Sequence, residues 1–77
     1  MAFQLSPNPV KNDLAIIGNG DDYNWKVINL QGIKLMEGIA TREHENIDVS
    51  RLNAGIYIFI CNNKIDKSVI AKKFIKN

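Results

Sequence analysis

The sequence has few residues that could carry out chemistry. Its 77 residues include one cysteine, Cys61, and one histidine, His44. A single thiol cannot form an internal disulfide, so the fold must be stabilised by packing and hydrogen bonds. Nucleophilic catalysis also needs a base and a group that orients it. We interpret Cys61 as a small core residue and His44 as a surface residue, and we predict no catalytic residue and no enzyme activity.

Long apolar runs are also missing. The longest, Ile56–Cys61, is far shorter than the roughly 20 residues that span a bilayer. No charged segment followed by an apolar one marks a signal peptide near the start. We therefore predict a chain that does not span a membrane and that depends on a parent protein for targeting. Met1 and Ala2 are interpreted as a start codon and a cloning remnant.

Neither sign of charge dominates, because ten Lys and Arg residues stand against eight Asp and Glu residues, a net charge of +2. This charge is too small and too scattered for a nucleic-acid partner. The one local excess is a set of lysines near the end: Lys64, Lys67, Lys72, Lys73 and Lys76. Because lysines protect strand edges from aggregation, this cluster is either a solvated edge or a recognition surface.

Two weaker site candidates remain. Asp13, Asp21 and Asp22 supply carboxylates, but they lack the spacing of a calcium loop, and the second and third are better explained by a hairpin turn. Tyr23 and Trp25 would share one face of a strand, either as a carbohydrate-binding surface or as part of the core, and a small domain favours the core. We predict no metal and no cofactor.

Turn residues recur at intervals of about 8–12 residues, as in a compact β-sandwich. Between them the sequence predicts seven short strands: Phe3–Leu5, Asp13–Ile17, Asn24–Leu30, Ile33–Glu37, Glu45–Val49, Gly55–Cys61 and Ser68–Ile75. Ile70 and Phe74 also have helical spacing, but so short a helix is marginal on its own, which favours a strand. We therefore predict an all-β, antiparallel sandwich in which one domain fills residues 1–77.

Local turn chemistry adds detail to this prediction. Asn29 and Gly32 occupy the first and fourth positions of a type I turn, which should pair the flanking strands through a hairpin with a bulge. Ile56–Cys61 is apolar on both alternating faces and predicts a central strand covered on both sides. Asn62 and Asn63 tolerate positive φ and predict a hairpin into the last strand.

Four motifs follow one another along nearly the whole chain. They are Pro7-Asn8-Pro9, Asn29-x-x-Gly32, Asp48-x-Ser50-x-Leu52-x-x-Gly55-x-Tyr57 and the lysine-containing end, Lys72-Lys73-Phe74-Ile75-Lys76. In this order and spacing they resemble the type A C-terminal sorting domain family of the type IX secretion system.

The resemblance implies an immunoglobulin-like sandwich fused to the end of a cargo protein. Such a domain directs its cargo across the outer membrane through the type IX translocon, after transit through the periplasm, to the cell surface or the medium. A sortase-like cysteine protease then commonly removes the domain at a bond before or around Phe3. An open edge strand would also allow weak dimers. The main alternative is an accessory carbohydrate- or protein-binding module of a surface protein.

The motif residues either define the fold or contact the receptor directly, and their physical roles favour the first. Pro7 and Pro9 restrict φ and stiffen the segment that leads into the sandwich. Leu52 is predicted to fill the core, and Gly55 to allow the backbone to bend into the central strand. Tyr57 is predicted to bury its ring while its hydroxyl reaches a backbone partner.

The terminal strand is the predicted recognition element. As a sheet edge it would present a row of unpaired backbone groups together with protruding lysines, suited to strand addition or to an acidic receptor surface. The residues predicted to contact the translocation machinery are Lys72, Lys73, Phe74, Ile75 and Lys76.

Overall fold

The computed structural model describes residues 4–18, 20–41 and 43–77, and within them every regular element is a β-strand. The strands, numbered in chain order, are β1 (Gln4–Ser6), β2 (Asp13–Ile17), β3 (Tyr23–Ile28), β4 (Lys34–Ala40), β5 (His44–Asp48), β6 (Gly55–Asn63) and β7 (Val69–Lys76). The all-β prediction of seven strands is confirmed, and the last segment is a strand. Phe3, which the sequence placed in the first strand, lies outside the described residues.

The strands form two antiparallel sheets. One has the order β1-β2-β5 and the other the order β4-β3-β6-β7. Consecutive strands cross repeatedly between the sheets, which is the connectivity of an immunoglobulin-like sandwich, with the fourth strand paired to the third. β6 lies between β3 and β7, so it is the central strand that its sequence predicted.

The core lies between the inner faces of the two sheets. Its buried residues alternate along the strands, and partly buried Leu5, Trp25, Met36, Leu52 and Ile70 pack against them. The core residues are Val10, Leu14, Ile16, Tyr23, Val27, Ala40, Ile47, Val49, Tyr57, Phe59, Cys61 and Phe74. Tyr23 and Trp25 therefore share the inner face of β3, as the core interpretation predicted.

The β3–β4 hairpin closes as its sequence predicts. The Gly32 amide donates to the Asn29 carbonyl at 3.0 Å, and Gly32 adopts a φ of +85°, which favours glycine. The side-chain oxygen of Asn29 accepts from the amides of Gln31 and Ile33, each at 3.0 Å. Besides the bulge predicted at this turn, the pairing of β3 with β4 shifts register between Val27 and Ile28, which was not predicted.

Two predictions about β6 need correction. Its outer face is not covered, since Ile56 is 42% exposed and Ile58 and Ile60 are only half-buried, because a two-layer sandwich covers one face of each sheet. The predicted hairpin into the last strand is confirmed, because β6 pairs with β7, but its turn lies after Asn62-Asn63, which β6 still includes. The residue with positive φ in the following turn is Lys67, at 66°.

Candidate functional site

Two distant parts of the chain meet at the end of β7. The Asn8 side-chain oxygen accepts a hydrogen bond from the Ile75 amide at 2.9 Å. The Val10 amide donates to the Ile75 carbonyl at 2.8 Å, and the Asn77 amide donates to the Val10 carbonyl at 2.9 Å. Val10 and Lys76 thereby form an isolated parallel bridge. We call this arrangement, residues 8–10 with residues 75–77, the terminal clasp.

The terminal clasp covers part of the β7 edge that was predicted to be open. Ile75 has both backbone groups bonded to the Asn8–Val10 segment, and the Asn77 amide is bonded as well. The predicted row of unpaired backbone groups is therefore wrong for this end of the strand. A segment that leaves the first sheet and crosses to β7 covers the edge, which blocks strand addition there.

The five predicted recognition residues lie in different environments. Lys72, Lys73 and Ile75 are exposed, whereas Phe74 is fully buried and Lys76 is only 7% exposed. Phe74 is thus inaccessible to a partner in the folded domain, and Lys76 offers a partner almost no surface. Recognition through this strand stays a prediction, and it applies to Lys72, Lys73 and Ile75.

Burial of the two residues has clear local causes. The Phe74 ring stacks on the Tyr57 ring, with centroids 5.7 Å apart and planes inclined by 27°. Lys76 lies on the same inner side of β7, and its ammonium donates to the Asn77 carbonyl at 2.9 Å. The aliphatic part of a lysine side chain can line apolar surface while its charged end reaches a polar partner.

The Asp48–Tyr57 motif forms the corner between β5 and β6. The Asp48 carboxylate accepts from the Ser50 amide at 2.9 Å, and hydrogen bonds from Ser50 hold the pKa of Asp48 below its usual value. Val49 is fully buried, and its amide donates to the Asn12 carbonyl at 2.8 Å. The corner is therefore fixed by local polar bonds and by one buried side chain.

In the second half of this motif, the predicted structural roles of Leu52 and Tyr57 are confirmed. Leu52 packs against the core, and Gly55 is the residue at which the turn ends and β6 begins. The Tyr57 ring is buried, and its hydroxyl donates to the Asn53 carbonyl at 2.7 Å. A tyrosine near the start of this strand that bonds back to the preceding corner is a hallmark of immunoglobulin-like sandwiches.

The proline motif lies on the surface. Pro7, Asn8 and Pro9 are exposed, and the Ser6–Pro7 and Asn8–Pro9 peptide bonds are both cis. Val10, directly after them, is completely buried. The motif therefore carries the chain from β1 over the rim of the sandwich and delivers Val10 to the core and to β7.

Asn63 holds the β6–β7 turn through its side chain, a role that was not predicted from the sequence. It is 2% exposed, and its side-chain amide donates to the Asp21 carboxylate at 3.1 Å. Its side-chain oxygen accepts from the amides of Ile65 and Asp66, at 2.7 and 3.2 Å. It thus organises the β6–β7 turn and ties that turn to the loop before β3. Asparagine in a turn was the available signal, but its partner Asp21 is 42 positions away.

The remaining candidates lie apart from one another. His44 is exposed at the start of β5, and Cys61 is fully buried, where burial raises the pKa of its thiol to about 11. Within the described residues, no three His, Cys, Asp or Glu side chains group closely enough to hold a metal ion. The same residues include no helix of the length and apolar character needed to span a membrane.

The fold and the motif contacts define a small antiparallel β-sandwich of immunoglobulin-like topology, closed at one end by the terminal clasp. The secretion system C-terminal sorting domain family matches residues 4–77, nearly the whole chain. The chain belongs to this family, the sorting domains of type IX secretion. It is thus a C-terminal secretion signal, which implies export to the cell surface or the medium.

A solved structure supports the fold. The chain is similar to part of PorZ, a surface component of the type IX secretion system of Porphyromonas gingivalis, with a TM-score of 0.84 and 15% sequence identity. The similarity covers 97% of this chain and 11% of the PorZ chain. No curated protein matches this sequence.

Proposed function

We propose that this domain is the C-terminal address of a larger cargo protein that is exported in two steps. The cargo's own signal peptide brings it to the periplasm, and the type IX translocon then recognises the folded domain and moves the cargo across the outer membrane. A sortase-like cysteine protease at the cell surface removes the domain at a peptide bond before or around Phe3. The family match over residues 4–77 carries this proposal.

The contacts of the motif residues support recognition of a folded domain. Asn8, Asn29, Asp48 and Tyr57 each bond to the chain's own backbone. Because these bonds close turns, corners and the terminal clasp, the motifs maintain the shape that a receptor meets. A receptor that read an unfolded tail would not require them.

The alternative of a sugar-binding module finds no specific support. Tyr23, Tyr57, Phe59 and Phe74 are buried, and Trp25 is partly buried with its ring stacked on Phe59 at 6.0 Å. The described part of the chain therefore presents no platform of exposed aromatic rings of the kind that sugars stack upon.

The test is a fusion of the domain to the end of a reporter that carries an N-terminal signal peptide. It is produced in a bacterium with a type IX system and in the same strain without its translocon. We expect the reporter outside the first strain and in the periplasm of the second. A folded fusion that stays in the periplasm of both strains contradicts export.

The same fusion tests proteolytic removal separately. We expect the exported reporter to have lost the mass of the domain in a strain with the sortase-like protease, and to keep it when the protease gene is deleted. An exported reporter that keeps the domain in both strains contradicts removal without contradicting export.

A further inference from the structure

The outer face of the four-stranded sheet is apolar where a two-layer sandwich normally presents polar side chains to water. Ile28 pairs with Ile58 across β3 and β6, and Ile56 pairs with Ile75 across β6 and β7. Ile60 continues the same row along β6. Ile56 and Ile75 are 42% and 43% exposed. We call these five residues the isoleucine stripe.

Exposure alone does not single out the isoleucine stripe, because large apolar side chains are also exposed at Leu30, Ile33, Leu35, Ile39, Ile65 and Val69. What distinguishes the stripe is its contiguity across three paired strands. The outer face of the three-stranded sheet carries polar side chains at the matching places, among them Asp13, Asn46 and Asp48, all of them exposed. The stripe also adds nothing to the core, which lies on the other side of the sheet. Contiguous exposed apolar residues with a polar rim are typical of an interaction site.

Two lysines flank the stripe. Lys26 on β3 lies opposite Ile60, and Lys73 on β7 lies opposite Ile58, so both ammonium groups border the apolar row. Glu37 of β4 lies on the same face, opposite Lys26 in the register, and its carboxylate accepts a hydrogen bond from the Lys34 ammonium at 3.0 Å. Three lysines, Lys26, Lys34 and Lys73, thus stand against this one glutamate. The rim of the stripe is therefore positive, and it complements an acidic rim on a partner.

Strand alternation connects this face to the sorting motifs. The side chains of β7 point alternately inward and outward, so the outward Lys73 and Ile75 belong to the stripe's surface while Phe74 is in the core. Ile56 follows Gly55 at the start of β6. The corner motif and the terminal motif thus supply neighbouring parts of one outer surface.

We propose that the isoleucine stripe, with Lys26 and Lys73 at its rim, is the surface through which the domain docks on a protein of the translocation machinery. The partner's contact surface is apolar at its centre and acidic at its rim. This inference rests on the proposed export function and names the face and the chemistry that the machinery reads.

Other occupants fit less well. A second copy of the domain would bring lysine rims together, and like charges at an interface oppose association. A membrane surface favours protruding amphipathic groups with Trp, Phe or Leu. Here Ile58 and Ile60 lie half-buried in the middle of a sheet. A flat, β-branched surface is better suited to a protein.

The test uses the reporter fusion with single substitutions in the full domain. Ile58→Thr removes apolar surface but keeps β-branching, and Lys73→Glu reverses the rim charge. The matched controls are Lys73→Arg, which keeps the charge, and Lys11→Glu, the same reversal at an exposed lysine outside the sheets. We expect cooperative thermal unfolding in all four variants, with a modestly lower midpoint in Ile58→Thr because it loses half-buried apolar surface. We expect a loss of external reporter of about tenfold in the first two only.

Two measurements on the purified wild-type domain address the other occupants. Sedimentation tests self-association, and flotation with vesicles of phosphatidylglycerol and phosphatidylethanolamine tests membrane binding. We expect a monomer that does not bind vesicles. If the wild-type domain dimerises or binds vesicles, and if Ile58→Thr and Lys73→Glu abolish this, the proposal that the stripe docks on a protein of the machinery is overturned.

The export results separate this inference from the proposed function. If the wild-type fusion is not exported, both fail. If the wild-type fusion is exported and the folded Ile58→Thr and Lys73→Glu variants leave the cell equally well, the docking face alone is wrong. Loss of export in Lys73→Arg as well would rule out charge complementarity at the rim.

Discussion

At the scale of single residues, two buried tyrosines differ in whether their hydroxyls are satisfied. The Tyr57 hydroxyl donates to the Asn53 carbonyl at 2.7 Å. The Tyr23 hydroxyl is buried and has no hydrogen-bond partner within the part of the chain that the structure describes. A buried polar group without a partner destabilises a fold, whereas a satisfied one is close to neutral or favourable.

We therefore predict opposite results for the same change at the two sites. Tyr57→Phe should lower the free energy of unfolding by about 1 kcal/mol, because it removes a hydrogen bond. Tyr23→Phe should leave it unchanged or raise it, because it removes an unpaired hydroxyl. Urea unfolding monitored by Trp25 fluorescence measures both, and an equal loss in the two variants would contradict the assignment.

Buried acidic groups also predict how stability depends on pH. Burial raises the pKa of Cys61 from 9.0 to about 11 and that of Tyr23 from 10.0 to about 12. Both groups are more easily ionised in the unfolded chain, so ionisation favours unfolding. The stability that the domain gains by keeping these two groups neutral is fully present below about pH 9 and is lost progressively towards pH 12.

The measurement is the thermal midpoint between pH 8 and pH 11, which we expect to fall as the pH rises. Cys61→Ala removes one of the two buried groups with a raised pKa, so the thermal midpoint of this variant should fall less steeply between pH 9 and pH 11. Parallel curves for the wild type and this variant would show that the thiol does not titrate as its burial implies.

At the scale of elements, β4 packs on β3 through a glycine. A Cβ on Gly38 would lie 2.6 Å from a carbon of the Trp25 ring, so Ala cannot be accommodated unless the indole moves off Phe59. We predict that Gly38→Ala costs about 1–3 kcal/mol and changes the fluorescence of Trp25. Gly18→Ala is the control, because its Cβ would meet Tyr23 at an ordinary 3.7 Å.

The terminal clasp predicts a local effect at the end of β7. Asn8→Ala removes the acceptor of the Ile75 amide, so this amide should exchange with deuterium faster than in the wild type, while amides in the middle of β6 should not. Asn46→Ala, at an exposed position of β5, serves as the control. Unchanged exchange at Ile75 would mean that the clasp does not protect the strand end.

Elements held by local contacts were predictable from the sequence, and those held by distant contacts were not. Asn29 and Gly32 fix their turn within four residues, and Tyr57 finds its acceptor at Asn53, so spacing alone indicates both. Asn8 and Ile75 are 67 positions apart, and their pairing depends on how the sheets are joined. The end of the terminal strand, at Ile75, was mispredicted as an open edge for this reason.

At the scale of the whole molecule, the burial of Phe74 links the terminal strand to the stability of the domain. A disulfide-free chain of 77 residues is expected to be stable by about 4–12 kcal/mol. Loss of a buried Phe side chain alone costs about 3–5 kcal/mol. Removing residues 72–77 would also remove most of the strand that pairs with β6 and one side of the terminal clasp.

We predict that the domain without residues 72–77 does not unfold cooperatively, because these losses together reach or exceed its stability. Near-ultraviolet circular dichroism and urea unfolding measure this, and a variant with Lys72→Gln and Lys73→Gln, which keeps Phe74, is the folded control. A truncated domain with a wild-type transition would contradict the role of Phe74. If the truncated domain is unfolded, its failure to be exported reports loss of the sandwich, and only folded variants such as Lys73→Glu report recognition.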